Sequence, residues 1–156
     1  MFPVFLNKET EKQKGDRMSN IVLIACSNKK SKTKTQARYL YRGTEFMYSL
    51  SYTEEKIKPE KIFILSAKYG LLDLDDEIEH YNYTLKQKSQ EIKKEWAKSV
   101  FEKLKNKCDV GKDTFIILAG KDYYLELLPY LKKTEIPMAK LNMYQRVPWL
   151  KVKLDE

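Results

Sequence analysis

The sequence predicts an α/β fold: a three-layer domain whose mainly parallel sheet, of about four strands, is covered by helices on both faces. Two observations predict this class. Several short segments are apolar throughout instead of alternating apolar and polar residues, as in strands that are buried on both faces. Amphipathic helical segments separate these apolar runs, and such alternation is typical of parallel strands joined by crossover helices.

The first half of the chain contains two predicted strands and one helix. Residues 21–26 form an apolar strand, and a basic loop leads from it into a helical stretch over about 36–56. Pro59 ends that stretch, because proline cannot continue a helix from within. The second strand, 61–66, is again apolar and is followed by the irregular acidic segment 73–79.

The second half repeats the alternation of helix and strand. A helix is predicted over about 86–107, because apolar residues recur there every three to five positions, and Trp96 is therefore expected in the core. Residues 114–119 form the third strand, and Asp122 is predicted to cap a short helix that follows it. The tail, 138–154, alternates short apolar groups with polar residues and is predicted to add an edge strand.

Length and composition suit one soluble domain. We expect residues 19–156 to form a single α/β domain, and residues 1–18, which lack periodicity beyond the first six, to be a flexible extension. No apolar run approaches the roughly 18 residues that a membrane span needs, so no membrane partner is expected. No signal peptide is recognisable, and a cytoplasmic location is expected.

Metal and cofactor sites find little support. The two cysteines lie far apart and His80 is the only histidine, so neither a zinc site nor a disulfide framework is expected. We expect no cofactor, although the carboxylates leave magnesium open. The P-loop motif and the glycine fingerprint of dinucleotide-binding proteins are both absent from the sequence, which argues against an ATPase and against a dehydrogenase.

Positive charge is concentrated after the first predicted strand. The chain carries a net charge of +8, and residues 21–44 contain six basic residues and no acidic one. These six are Lys29, Lys30, Lys32, Lys34, Arg38 and Arg42. Two interpretations stay open: a solvated basic loop, or a patch that attracts phosphate groups.

The second predicted strand ends abruptly in polar residues. Ser66, Lys68, Tyr69 and Gly70 follow its apolar run, and Gly70 has the conformational freedom for a sharp exit from the strand. A hydroxyl, an ammonium group and a phenol are therefore expected at the carboxyl end of one strand. A simple turn, with Tyr69 packed against the core, is the alternative interpretation.

Three strand ends are expected to meet at one crevice. Right-handed crossovers place the loops that follow parallel strands on one side of the sheet, where open α/β sheets bind their ligands. Each of the three segments carries a lysine and a small residue, and lysines beside backbone amides suit an anion such as phosphate. The predicted ligand-binding residues, which include tyrosines suited to base stacking, are Ser27, Asn28, Lys29, Lys30, Ser66, Tyr69, Gly70, Tyr81, Gly120, Lys121, Tyr123 and Arg146.

Lys68 and Glu79 are the predicted catalytic residues. Five carboxylates crowd into residues 73–79, and their mutual repulsion keeps most of them in solvent. Glu79 closes this segment beside His80 and Tyr81, where the chain must return to the domain. Next to Lys68 it would stay ionised and serve as a nucleophile or base, as carboxylates do in glycosyl transfer. A surface or helix-capping glutamate is the alternative.

Five segments of the chain are familiar: residues 21–30, 37–41, 65–72, 79–81 and 146–150. Together they resemble a family of small uncharacterised bacterial and phage proteins marked by an SAKYGLL motif. The central motif is also similar, more distantly, to one in YaaA-like peroxide-stress proteins, a resemblance that implies DNA binding and protection from oxidative damage. His80 and Asn82 replace the proline and aspartate of the family's Glu-Pro-Tyr-Asp pattern, and the chain is much shorter than YaaA.

Two functions of different classes follow as hypotheses. The first is an enzyme that acts on a nucleotide, nucleoside or nucleic-acid base, with chemistry at the N-glycosidic bond as one option. A hydrolase and a glycosyltransferase both fit this hypothesis. The second is a non-catalytic nucleic-acid-binding protein whose basic stretch tracks the phosphate backbone. Burial of Glu79 in a pocket with Lys68 would favour the enzyme, whereas an open basic face would favour binding.

Overall fold

A mainly parallel sheet forms the centre of the computed structural model, which describes residues 19–156. The predicted extension, residues 1–18, lies outside the described residues. In chain order the strands are β1 (Asn20–Ala25), β2 (Thr35–Gln36), β3 (Lys61–Ser66), β4 (Gly70–Asp73), β5 (Glu77–Ile78), β6 (Thr114–Leu118) and β7 (Lys133–Glu135). Five of them form one sheet in the order β4-β3-β1-β6-β7, and β2 pairs with β5 in a separate ribbon.

Strand β1 lies at the middle of this sheet. It runs parallel to β3 and to β6, so that Leu23 faces Phe63 on one side and Ile117 on the other. Residues 21–24 are at most 1% exposed. A strand buried this completely has no solvent face, which explains why its sequence is apolar throughout. Strand β7 extends the parallel part beyond β6, and β4 closes the other edge antiparallel to β3.

Helices occupy the connections between the parallel strands, and one further helix follows the last strand. They are α1 (Ala37–Leu40), α2 (Thr44–Tyr52), α3 (Gln90–Lys105), α4 (Lys121–Tyr124) and α5 (Met143–Asp155). A π-helical turn, Thr53–Ile57, continues α2, and a 3-10 turn, Leu128–Tyr130, follows α4. No helix within residues 19–156 is both long and apolar enough to cross a membrane.

The order of the strands explains the three layers. The connection from β1 to β3 crosses the sheet in one direction, and the connection from β3 to β6 crosses it in the other. Because such crossovers are right-handed, α2 and α3 lie on opposite faces. The predicted fold class is therefore confirmed. The reversal of direction also creates a topological switch point between the carboxyl ends of β1 and β6.

Helix α3 shows how sequence pattern becomes packing. Ser89 caps it by accepting a hydrogen bond from the Ile92 amide over 3.2 Å. Its buried residues, which include Trp96 and Val100, recur at helical spacing and face the sheet. The Trp96 indole Nε1 donates to the carbonyl oxygen of Ser66 over 2.8 Å. The prediction that Trp96 is a core residue is confirmed.

Two predicted helices were wrong in their details. The stretch predicted as one helix over 36–56 is divided into α1 and α2, because Tyr41 is extended and Gly43 begins a new helix. The N-cap of the short helix after β6 is Gly120, not Asp122, whose carboxylate pairs with Lys93 instead.

The predicted edge strand in the tail was also wrong, because that region contains α5. Asn142 and Gln145 form a capping box, in which the Asn142 side chain accepts from the first-turn amides and the Gln145 side chain accepts from the Asn142 amide. This cap stabilises a helix that also contains Pro148. Trp149 packs edge-on against Tyr52 of α2, with ring centroids 5.7 Å apart. The sheet edge is instead formed by β7, which the sequence pattern did not reveal.

Gly70 provides a test of the turn between β3 and β4. It has a φ of +76°, a left-handed conformation that a side chain disfavours, whereas a Cβ there would meet only ordinary contacts. We expect Gly70→Ala to lower the free energy of unfolding by about 1–2 kcal/mol, measured by urea denaturation. Gly111→Ala is the matched control, because Gly111 is not left-handed and a Cβ there would meet only an ordinary contact, with Asp109 Oδ1 at 3.5 Å. Equal stability of the two variants would contradict this explanation.

Candidate functional site

A cavity of about 760 Å³ lies at the topological switch point between β1 and β6. Residues 25–29 follow β1 and form one wall, and residues 118–124 at the end of β6 form the wall opposite. The first turn of α2, residues 138–143 and Arg146 of α5 also line the cavity, as do Ser49, Thr84 and Lys86. Its position is the one at which open α/β sheets bind ligands, and its volume suits a small molecule.

The wall after β1 is fixed by the Ser27 hydroxyl. Ser27 Oγ donates to the carbonyl oxygen of Lys29 over 2.7 Å and accepts from the Gly43 amide over 3.1 Å. A Cβ at Gly43 would lie only 2.6 Å from the Ser27 Cβ, so this close approach requires glycine. Ser27 therefore lines the cavity but uses its hydroxyl to hold the loop. Asn28 and Lys29 lie beside it with exposed side chains.

Helix α2 begins at this cavity. Gly43 is its N-cap and provides no side-chain cap for the first-turn amides, and Gly43, Thr44 and Glu45 all line the cavity. The positive end of the helix dipole is therefore close to the lining. Together with nearby lysines, such an end favours an anionic ligand.

Arg146 and Glu45 form an ion pair within the lining. Arg146 Nε donates to Glu45 Oε1 over 3.0 Å, and the two side chains are 17% and 31% exposed. The terminal nitrogens of Arg146 lie 3.7–3.8 Å from the position of a Cβ on Gly120. The guanidinium therefore lies in ordinary contact distance of this position. Lys121 follows Gly120 and has an exposed side chain on the same wall.

The SAKYG segment, residues 66–70, does not line this cavity. The Ser66 side chain is fully buried, and its Oγ accepts from the Tyr41 hydroxyl over 3.0 Å and lies 2.9 Å from the Tyr81 hydroxyl. The two phenol oxygens are 2.8 Å apart. Ser66 Oγ also accepts from the Tyr69 amide over 3.1 Å. We call Tyr41, Ser66 and Tyr81 the hydroxyl cluster. Burial raises the pKa of both phenols above its usual range.

Cys26 connects the hydroxyl cluster region to the cavity. Its thiol lines the cavity, accepts from the Ala67 amide over 3.4 Å and donates to the Tyr123 hydroxyl over 3.5 Å. Tyr123 is mostly buried and packs edge-on against Trp96, with ring centroids 5.6 Å apart. Tyr123 therefore forms part of the wall, and its ring does not present an open face for base stacking. Burial raises its pKa.

The two predicted catalytic residues lie elsewhere on the surface. Lys68 and Glu79 are both exposed and neither lines the cavity. The Lys68 ammonium is 5.3 Å from the Tyr69 ring centroid and 5.9 Å from that of Tyr81. The Lys30 ammonium also lies over the Tyr81 ring, 4.3 Å from its centroid. Burial lowers the pKa of Lys30. The structure therefore does not place Glu79 in a pocket with Lys68, so this observation does not favour an enzyme that uses these two residues. Catalysis in the cavity would need a different carboxylate.

The predicted ligand-binding residues divide into two groups. One group lines the cavity as expected: Ser27, Asn28, Lys29, Gly120, Lys121, Tyr123 and Arg146. The other group surrounds the hydroxyl cluster or the adjoining turn: Lys30, Ser66, Tyr69, Gly70 and Tyr81. The expected convergence of three strand ends on one crevice thus holds for the segments after β1 and β6, and not for the segment after β3.

Glu45 is one of several lining residues that were not predicted from the sequence. A signal for it exists in the sequence, because it is the first acidic residue after the basic stretch 21–44 and follows Gly43 and Thr44 at a helix start. Thr84, Lys86 and residues 138–141 were also missed, since nothing local in their pattern indicates a ligand. Within residues 19–156, no group of three or more His, Cys, Asp or Glu side chains is placed to hold a metal ion.

The fold and the cavity together define an α/β protein with a ligand-sized cleft at the switch point of its sheet. The chain belongs to a family of unknown function, DUF6884, whose model matches residues 21–152. The match thus includes both strands that form the cavity and the helix that carries Arg146. No curated protein and no solved structure matches the chain significantly.

The buried phenols make stability depend on alkaline pH. Burial raises the pKa of Tyr41, Tyr81 and Tyr123, so the folded state keeps these phenols protonated while the unfolded chain ionises near pH 10. Their contribution is therefore fully present below about pH 10 and is lost as the pH rises above it. We expect the free energy of unfolding, measured in urea, to fall steeply above pH 10, and less steeply in Tyr81→Phe. Ionisation of all eleven tyrosines near pH 10 in the folded protein, followed by absorbance, would contradict this.

Proposed function

We propose that the protein is an enzyme that binds a nucleotide or nucleoside in the cavity between β1 and β6 and acts on its N-glycosidic bond. The observation that carries this proposal is that the lining contains both cationic and apolar residues. We call the lining lysines, Arg146 and the start of α2 its cationic part, and Leu118, Met138 and Leu141 its apolar part. A nucleotide combines the same two characters, an anionic phosphate and a flat, largely apolar base.

The cationic part has more positive than negative charge. Lys29, Lys86 and Lys121 line the cavity and have no carboxylate partner within residues 19–156. Arg146 pairs with Glu45 through Nε alone, so its terminal nitrogens remain available to a phosphate. Planar guanidinium groups and helix amides are common phosphate ligands, and here both are offered by one wall.

The apolar part is built by residues that follow β7. Met138 is almost fully buried and lines the cavity together with Ala139, Leu141 and Tyr124. Ligand pockets are typically apolar with a few placed polar groups, and this part of the cavity has that character. A base or a nucleoside would bury apolar surface here while the phosphate stays at the cationic part.

A ligand screen tests the binding step. We expect a nucleoside 5′-monophosphate at about 100 times its Kd to raise the Tm by roughly 5–10 °C, because it binds only the folded state. The double variant Lys29→Ala/Lys121→Ala should lose most of this shift. The matched control is Lys32→Ala/Lys34→Ala, which removes the same charge from exposed positions outside the lining and should keep the shift. Absence of a shift with every nucleotide would contradict the proposal.

A second candidate function is binding of nucleic acid without catalysis, and the path of the basic loop favours it. The loop leaves the cavity at Lys29 and returns beside it, since the Arg42 amide donates to the Lys29 carbonyl oxygen over 2.8 Å. Between these points it carries the exposed Lys32 and Lys34, and Tyr39 with 60% of its surface exposed. Cations interleaved with an exposed aromatic ring suit a single strand. The YaaA-like resemblance supports the same function.

The salt dependence of binding tests this second candidate. If Lys32 and Lys34 contact phosphates of a single-stranded DNA, their replacement by alanine should reduce the slope of log K against log salt by about 1.4, or 0.7 for each contact. The control Lys94→Ala/Lys98→Ala removes two exposed cations from α3 and should leave the slope unchanged. A wild-type protein with no DNA affinity at low salt would contradict this candidate.

A further inference from the structure

Two of the residues that line the cavity carry carboxylates, Glu45 and Asp122. Asp122 pairs with Lys93 of α3 over 2.6 Å, and Lys93 is not part of the lining. This ion pair links α4 to α3, so the Asp122 carboxylate takes part in a structural contact. Glu45 differs, because its partner Arg146 itself lines the cavity. Glu45 is therefore the carboxylate whose charge remains within the site.

The surroundings of Glu45 hold one of its carboxylate oxygens and leave the other free to contact a substrate. Its Oε1 is held by Arg146 Nε over 3.0 Å, whereas Oε2 has no partner within residues 19–156. The side chain is 31% exposed, so a ligand in the cavity can reach it. Glu45 also lies in the first turn of α2, beside the amides that favour a phosphate, and the Arg146 charge offsets the repulsion between a phosphate and this carboxylate.

We infer that Glu45 is the catalytic nucleophile for the N-glycosidic bond, an inference that rests on the proposed function. In the first step Oε2 forms a bond to the sugar C1′ as the bond between C1′ and the base nitrogen breaks, and the electron pair leaves with the base. The base takes a proton from water. The hydroxide so formed adds to C1′ in the second step and releases the Glu45 carboxylate. The net reaction converts a nucleotide and water into a free base and a sugar phosphate.

The test uses eight probes, the four common ribonucleoside and the four common deoxyribonucleoside 5′-monophosphates, with release of free base followed by chromatography. We expect the wild-type protein to release base from at least one of them. Glu45→Gln should slow this release at least 100-fold but keep the thermal shift with the same nucleotide, because the amide preserves size and a hydrogen-bond acceptor for Arg146. Removal of a nucleophile typically costs orders of magnitude in rate.

The chain offers a matched control for this variant. Glu54 pairs with Arg38 over 2.8 Å, so Glu54→Gln makes the same chemical change in another glutamate and arginine pair that lies outside the cavity. Its rate of base release should equal that of the wild type. If Glu45→Gln does not fold cooperatively, Glu45→Asp replaces it, because this variant keeps the charge but withdraws the carboxylate by one methylene and should also lose turnover.

The outcomes separate this inference from the proposed function. Base release by Glu45→Gln or Glu45→Asp at the wild-type rate would overturn the role of Glu45. A wild-type protein that shows a thermal shift with nucleotides but releases no base from any of the eight would overturn the role of Glu45 and the N-glycosidic reaction of the proposed function, and would leave only its nucleotide-binding part. A wild-type protein with neither a shift nor release would overturn the proposed function as well.

Discussion

The hydroxyl cluster of Tyr41, Ser66 and Tyr81 is the interaction on which the arrangement of the loops depends. Each residue belongs to a different segment: the link between α1 and α2, the end of β3 and the chain between β5 and α3. Three buried hydroxyl groups are costly unless they satisfy one another, so the segments are stable only when all three meet. The Ala67 amide, next to Ser66, donates a hydrogen bond to the Cys26 thiol. The same region therefore also supports the wall of the cavity that follows β1.

The sequence predicted the parts of the fold that depend on complete burial. Strands β1, β3 and β6 were predicted within one or two residues, because a strand covered on both faces must be apolar throughout. The short strands β4 and β7 were missed, since edge strands are paired by neighbours that are distant in sequence. The tail was assigned the wrong structure because Pro148 and an irregular apolar pattern conceal a helix, which a capping box stabilises at its start.

The same limit applies to the candidate site. The switch-point rule was sufficient to predict the segments after β1 and β6, because it depends only on the order of strands and crossovers. Glu45 and Arg146 lie 101 positions apart, so no local pattern could show that they pair. The SAKYG segment was conspicuous because it combines a strand end, a hydroxyl and a left-handed glycine. In the structure Ser66 belongs to the buried hydroxyl cluster and Gly70 forms the turn between β3 and β4. Both residues lie outside the lining of the cavity.

The position of Arg146 in α5 has a consequence for biosynthesis. The cavity combines the first strand of the sheet with a helix that is synthesised more than a hundred residues later. While a ribosome is still making the chain, β1 and its basic loop exist without the guanidinium that neutralises Glu45 and without the apolar residues around Met138. A nascent chain therefore cannot hold a complete site until α5 has emerged and docked against α2, so ligand binding reports a step that follows the docking of α5.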